Sequence, residues 1–168
     1  EIINKIVDIM PYNLTDNQKR EILNRRQERM KRALLNVDNE ILNTIKQLHY
    51  KDIKLGLISN SDIIDSKHWK ESSLSGFFDV AVFSCDAGIM KPDTKIYETA
   101  MHMLSVSPKE SIFVGDGGSD ELYGAKIAGM RTVFTEYLER KPSDKIEKIK
   151  LYADFHIDKF YELLRCLE

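Results

Sequence analysis

Three places along the chain carry residue types that do chemistry: Ser59-Asn60, Lys91, and Asp116 with Asp120. The last is the most pointed. Ile112-Phe113-Val114-Gly115-Asp116-Gly117-Gly118-Ser119-Asp120-Glu121 reads as a buried apolar strand that stops at two acids held four residues apart by glycines. Carboxylates at the carboxyl end of a buried strand lie where open α/β sheets place their ligands. An acidic pair there suits a hard cation such as Mg2+, which takes oxygen ligands and keeps several waters. The plainer alternative is a Gly-rich turn with solvated acids, followed by a helix Asp120 to Ala128 that Ser119 would cap. Ser59 can donate to a phosphate oxygen, and Lys91 adds a positive point charge. Taken singly, Ser59-Asn60 also reads as a turn and Lys91 as a loop lysine. Together, after successive strands, a hydroxyl, an ammonium and an acid pair suit a phosphoryl group, with the metal offsetting the repulsion between phosphate and carboxylate.

The elements that must position these groups follow from the apolar pattern. Residues 1–10 carry a helical stripe, and a second helix spans about Asn17 to Leu35 with Ile22, Met30, Ala33 and Leu34 as a sparse apolar side. Arg25, Arg29 and Arg32 share one face of it, which reads first as solvated and second as a surface for an anion or a partner. Asn36-Val37-Asp38 opens a third helix. Ile53 to Ile58 and Val80 to Phe83 read as strands, and Cys85 to Met90 as a loop. A helix follows Lys91-Pro92-Asp93 and runs to about Leu104. Ser107-Pro108-Lys109-Glu110 promises at most one helical turn before the strand at Ile112. Thr132 to Phe134 is a short strand and Pro142-Ser143-Asp144 starts an exposed helix. Ala153 to Ile157 reads as an edge strand and Asp158 to Leu167 as a closing helix.

From Val37 onward helices and strands alternate. That pattern predicts an α/β fold, a Rossmann-like parallel sheet with helices on both faces. Residues 1–36 are helical only and read as part of a separate helical subdomain, with the α/β core at 37–168.

Composition narrows the classes of function. The net charge of −2 over 168 residues argues against a general nucleic-acid binder, which carries a basic excess. No apolar run approaches the ~20 residues of a membrane span. Cys85 and Cys166 have neither disulfide-framework nor zinc spacing, which fits a reducing compartment and predicts a cytoplasmic protein.

Three segments, LGLISNS at 55–61, MKPDTKIYETA at 90–100 and FVGDGGSDELYGAKIAGM at 113–130, closely resemble the haloacid dehalogenase-like hydrolases, the HAD superfamily, in the subgroup with a helical cap inserted after the first strand. The resemblance covers about Val37 to Thr135 closely. It implies that Ser59 is the phosphate-binding hydroxyl and that Asn60 is its common companion. It also implies that Lys91 steadies nucleophile and phosphate, and that Asp116 is the principal Mg2+ ligand from this half of the site. Asp120 takes the role of second acid, direct or through water, with Glu121 the less favoured substitute. Residues 1–36 correspond to part of the helical cap.

The family's first motif is a strand ending in Asp-x-Asp, whose first Asp forms an aspartyl-phosphate. No Asp-x-Asp occurs in these 168 residues. The expectation is therefore a portion of a larger protein, with the motif upstream of Glu1 and no turnover by this chain alone. The activity implied for the whole is a Mg2+-dependent phosphatase acting on a small phosphorylated metabolite. A phosphomutase would share the same site, and a non-catalytic binding or scaffold relative would explain the absent motif. A metal-free dehalogenase fits less well because Asp116 supplies a metal ligand. A response-regulator receiver fits less well because it places its acid pair first.

Overall fold

The computed structural model describes residues 13–167, so the helical stripe read over residues 1–10 lies outside the described residues. The first described helix, α1 (Asp16–Leu35), starts at a capping box in which Thr15 and Gln18 satisfy each other's backbone amides. No residue of α1 is buried, and Ile22 and Ala33 of the expected inward stripe face solvent. Arg25, Arg29 and Arg32 are exposed as well. Met30 and Leu34 of that stripe are half-buried, and Arg26 adds a polar tie. Its guanidinium donates to both oxygens of Asp65 at 3.3 and 2.7 Å and lies 3.0 Å from Asp62. Asp62 in turn caps the short helix α3 (Ile63–Ser66).

The second helix, α2 (Asn39–Tyr50), begins at Asp38, whose carboxylate accepts from the Glu40 amide, and buries Thr44, Ile45 and Leu48. Strand β1 is Gly56–Ser59, shorter and later than read. Asp79 accepts the Leu55 amide with its side chain and donates its own amide to the Leu55 carbonyl, which clasps the chain just before β1 to the start of β2. Strand β2 (Val80–Phe83) pairs with β1 in parallel, Gly56 opposite Val80. The stretch read as a loop after β2 starts with one helical turn, α4 (Ser84–Ala87), stopped by left-handed Gly88. Helix α5 (Thr94–Leu104) is capped by Asp93. After the 3-10 turn Pro108–Glu110 come β3 (Ile112–Gly115), α6 (Glu121–Ile127), β4 (Arg131–Thr135), α7 (Ser143–Lys150) and β5 (Phe155–Ile157). The closing helix is a 3-10 segment, Phe160–Leu167.

All strand pairs are parallel, as βαβ alternation requires. Among the described residues they form two sheets rather than one, β1-β2 and β3-β4-β5. Successive residues of β4 point to opposite faces. Phe134 joins the cluster built on α5 and α6, with Ile96, Tyr97, Leu122 and Phe113. Val133 joins the one built on α2 and the closing 3-10 segment, with Ile45, Leu48 and Leu163. Helical layers thus cover both faces, as read from the sequence.

Candidate functional site

The site assembles on the turn after β3. Gly117 takes a left-handed φ of +79°, and so do two non-glycine residues, Ser119 at +54° and Asp120 at +50°. The helix expected from Asp120, with Ser119 as its cap, therefore does not start there. Residues Gly118–Asp120 form a 3-10 turn, Ser119 makes no cap, and the α-helix begins at Glu121.

That shift decides which acid enters the site. Asp120 is exposed, beside Tyr123, Lys148 and Tyr152. Glu121 is buried, and its carboxylate turns back toward β3. Its Oε1 accepts the Gly117 amide at 3.2 Å, and its Oε2 accepts from Lys91 Nζ at 2.5 Å. The approach is so close that a Cβ at Gly115 would stand 2.3 Å from Glu121 Oε1. The carboxyl that stands inward beside Asp116 is thus that of Glu121, while Asp120, the expected second acid, faces solvent.

Lys91 is brought there by Asn60. The Asn60 side-chain amide donates to the Lys91 carbonyl at 2.9 Å, and its Oδ1 accepts the Lys91 N–H at 2.7 Å. Both main-chain polar groups of Lys91 are thereby fixed to the end of β1, next to Ser59. The ammonium then crosses the face of Phe113, 5.6 Å from the ring centroid, to reach Glu121. Tyr97, fully buried, donates its hydroxyl to the Glu121 carbonyl at 2.7 Å and locks the first turn of α6.

Asp116 accepts from the Gly118 amide at 2.9 Å and from Lys141 Nζ at 3.1 Å. Lys141 also pairs with Glu139 at 2.6 Å. Sequence reasoning saw only a charged stretch here. The one local hint is that Lys141 precedes the Pro142 that ends the loop.

The two carboxyls are poised differently. Burial pushes Glu121 up. Lys91 opposes the rise and Asp116 adds to it, and the net shift is upward. Burial also pushes Asp116 up, but the Gly118 amide, Lys141 and Glu121 together outweigh it and hold the group below its ordinary range. Two carboxylates form an all-oxygen donor set, which is what a hard divalent cation takes, so the residues fit Mg2+, with the Lys141 ammonium the cation it would displace from Asp116.

The structure thus gathers Asn60, Lys91 and Asp116, with Ser59 adjacent, adds Glu121 and Lys141, and leaves Asp120 outside. Among the described residues no helix is long and apolar enough to cross a membrane.

Comparison with known proteins gives a consistent set of likenesses. The model of the family described as haloacid dehalogenase-like hydrolase matches residues 3–135. The glyceraldehyde 3-phosphate phosphatase of Pyrococcus furiosus is 34% identical over 128 residues, which is 74% of this chain and 52% of that protein. Pyrophosphatase PpaX of Halalkalibacterium halodurans is 35% identical over 101 residues, 60% of this chain and 46% of that one. The chain spans about half the length of these curated relatives. The crystal structure of a HAD phosphatase from Thermococcus onnurineus superposes with a TM-score of 0.68 at 27% identity, covering 98% of this chain and 69% of its own.

Proposed function

The chain belongs to the haloacid dehalogenase-like hydrolase family, and we propose that its residues form the phosphate- and metal-binding half of a Mg2+-dependent phosphatase acting on a small phosphorylated metabolite in the cytoplasm. The observation that carries this reading is the continuous chain Asn60–Lys91–Glu121–Gly117, which ties the end of β1 to the turn bearing Asp116.

In this reading Ser59 donates its hydroxyl to a phosphoryl oxygen. Lys91, held at a fixed height by Asn60, shares its ammonium between Glu121 and the phosphoryl group. Asp116 is the principal ligand for Mg2+ and Glu121 the second acid. The bound ion would supply positive charge that offsets repulsion between carboxylates and phosphate. Transfer through an aspartyl-phosphate belongs to the proposal for the whole protein, since no Asp-x-Asp occurs in the sequence. Residues 1–36 would belong to a helical cap that selects substrate, and 37–168 to the core.

The test is phosphate release by the whole protein that carries these residues. The panel should include glyceraldehyde 3-phosphate, pyrophosphate and other small phosphate esters. Activity should vanish with EDTA, return with Mg2+, and fall at least ~100-fold in Asp116→Asn, since a bound metal contributes several kcal/mol. Release that survives EDTA, or halide release from a haloacid without metal, would overturn the proposal. Unchanged behaviour of Asp116→Asn together with no Mg2+ binding would make the protein a non-catalytic relative.

A further inference from the structure

A second group of ligating side chains stands at the carboxyl ends of β4 and β5, apart from the pair Asp116 and Glu121. Glu136 is the residue after β4, His156 lies within β5, and Asp158 is the residue after β5. The register, Phe134 opposite His156 and Thr135 opposite Ile157, makes Glu136 and Asp158 the next rung. His156 Nε2 is 3.0 Å from Glu136 Oε2 and 3.8 Å from Asp158 Oδ1. One ligand atom from each residue falls within 4.8 Å of the others. The imidazole is not free to turn, because its ring stacks on Phe134 with centroids 4.9 Å apart and planes 18° apart.

We propose that Glu136, His156 and Asp158 form a binding site for a divalent transition metal of the zinc class. Charge is the independent observation. The Glu136 side chain is only 10% exposed. Among the described residues it has no lysine or arginine partner. It accepts the Lys141 amide at 3.2 Å and faces His156. A carboxylate that far from water needs a compensating positive charge. The donors decide the type of ion. One imidazole nitrogen with two carboxylate oxygens is a zinc-like set, whereas Mg2+ prefers oxygen alone. A cleft of about 240 Å³ opens beside the group, lined by Glu136 and Asp158 and also by Arg140 and Lys159. Glu136 also holds the backbone of Lys141, whose ammonium pairs with Asp116. Metal at this site therefore bears on Asp116.

Co2+ titration of this chain in excess Mg2+ tests the site without any assay of turnover. The expected result is one equivalent of Co2+ with visible ligand-field absorption, displaced by Zn2+. The band should disappear in His156→Ala and persist in Asp116→Asn. Glu136→Gln should weaken Co2+ at least the ~10–100-fold that loss of a supporting residue costs. His156→Asn serves in place of His156→Ala if circular dichroism shows the latter unfolded. Absence of the band would overturn the proposal. A band that survives His156→Ala, or that vanishes in Asp116→Asn, would overturn it too.

Discussion

Lys91 Nζ stands 2.5 Å from Glu121 Oε2, with the two side chains 11% and 8% exposed. This pair joins the two halves of the molecule. Lys91 hangs from the end of β1 through Asn60, and Glu121 opens the helix after β3. Removing one member of a buried pair strands the other's charge, whereas replacing both with apolar groups is often tolerated. Lys91→Met is therefore expected to cost about 3–5 kcal/mol in urea denaturation. Lys91→Met with Glu121→Leu should recover most of that loss. Strictly additive losses would show that the two residues act independently.

The pH dependence of stability has two opposed parts. Asp116 is held below its ordinary 3.8, so its contribution is complete above that value and is lost as pH falls through the folded pKa. Glu121 is raised above its ordinary 4.5, so its contribution is complete in acid and fades as pH rises through the folded value. In thermal melts from pH 7 to pH 3, Asp116→Asn should flatten the acid-side loss, and Glu121→Gln should flatten the fade at higher pH. Acid-side curves of wild type and Asp116→Asn that superimpose would rule out the first effect.

Metal binding separates the acids from one another. Isothermal titration with Mg2+ should give no binding in Asp116→Asn, weaker binding in Glu121→Gln, and wild-type binding in Asp120→Asn. Lys141 occupies Asp116 as a tethered cation, so Lys141→Ala should tighten Mg2+ by about two- to fivefold, the effect of losing a half-exposed competing pair. Weaker binding in Asp120→Asn, or in Lys141→Ala, would contradict this assignment.

Two glycines should fail for different reasons. An added Cβ at Gly115 meets the carboxylate of Glu121, a side chain that can shift if its pair with Lys91 is given up. An added Cβ at Gly124 stands 2.4 Å from the Pro92 carbonyl, which is backbone and cannot swing away. Both alanine variants fall in the overpacking range of about 1–3 kcal/mol, with Gly124→Ala the more costly. Only Gly115→Ala should also weaken Mg2+. Melting curves and the same titration check both points.

Most of the fold was legible because its signals are local. Val80–Phe83 and Ile112–Gly115 are short apolar runs bounded by polar or glycine residues, and both formed where read. The capping box at Ser107 and Glu110 likewise formed its single turn. Which of the two acids, Asp120 or Glu121, turns inward was not legible. Ser119 and Asp120 adopt a left-handed backbone that capping rules do not anticipate for residues other than glycine, and one residue's displacement sends the next acid inward. Lys141 was hidden for another reason. Its partner Asp116 lies 25 residues earlier, and no periodicity links them. The division into two sheets is likewise invisible in strand propensity, because it depends on which edges meet.

That division has a consequence for the order of assembly. Each sheet closes over modest separations, Gly56 with Val80 and Ile112 with Arg131. The contacts that complete the site bridge longer spans, 31 residues for Asn60 to Lys91 and 30 for Lys91 to Glu121, and the clasp of Glu40 on the Phe160 amide spans 120. Loop closure alone separates the sheet pairings from the site contacts by only about 0.2–0.4 kcal/mol. What orders them is that the Lys91–Glu121 contact needs both sheets in place. The site is complete only when both sheets are docked, so its binding competence would report that docking rather than the presence of the strands.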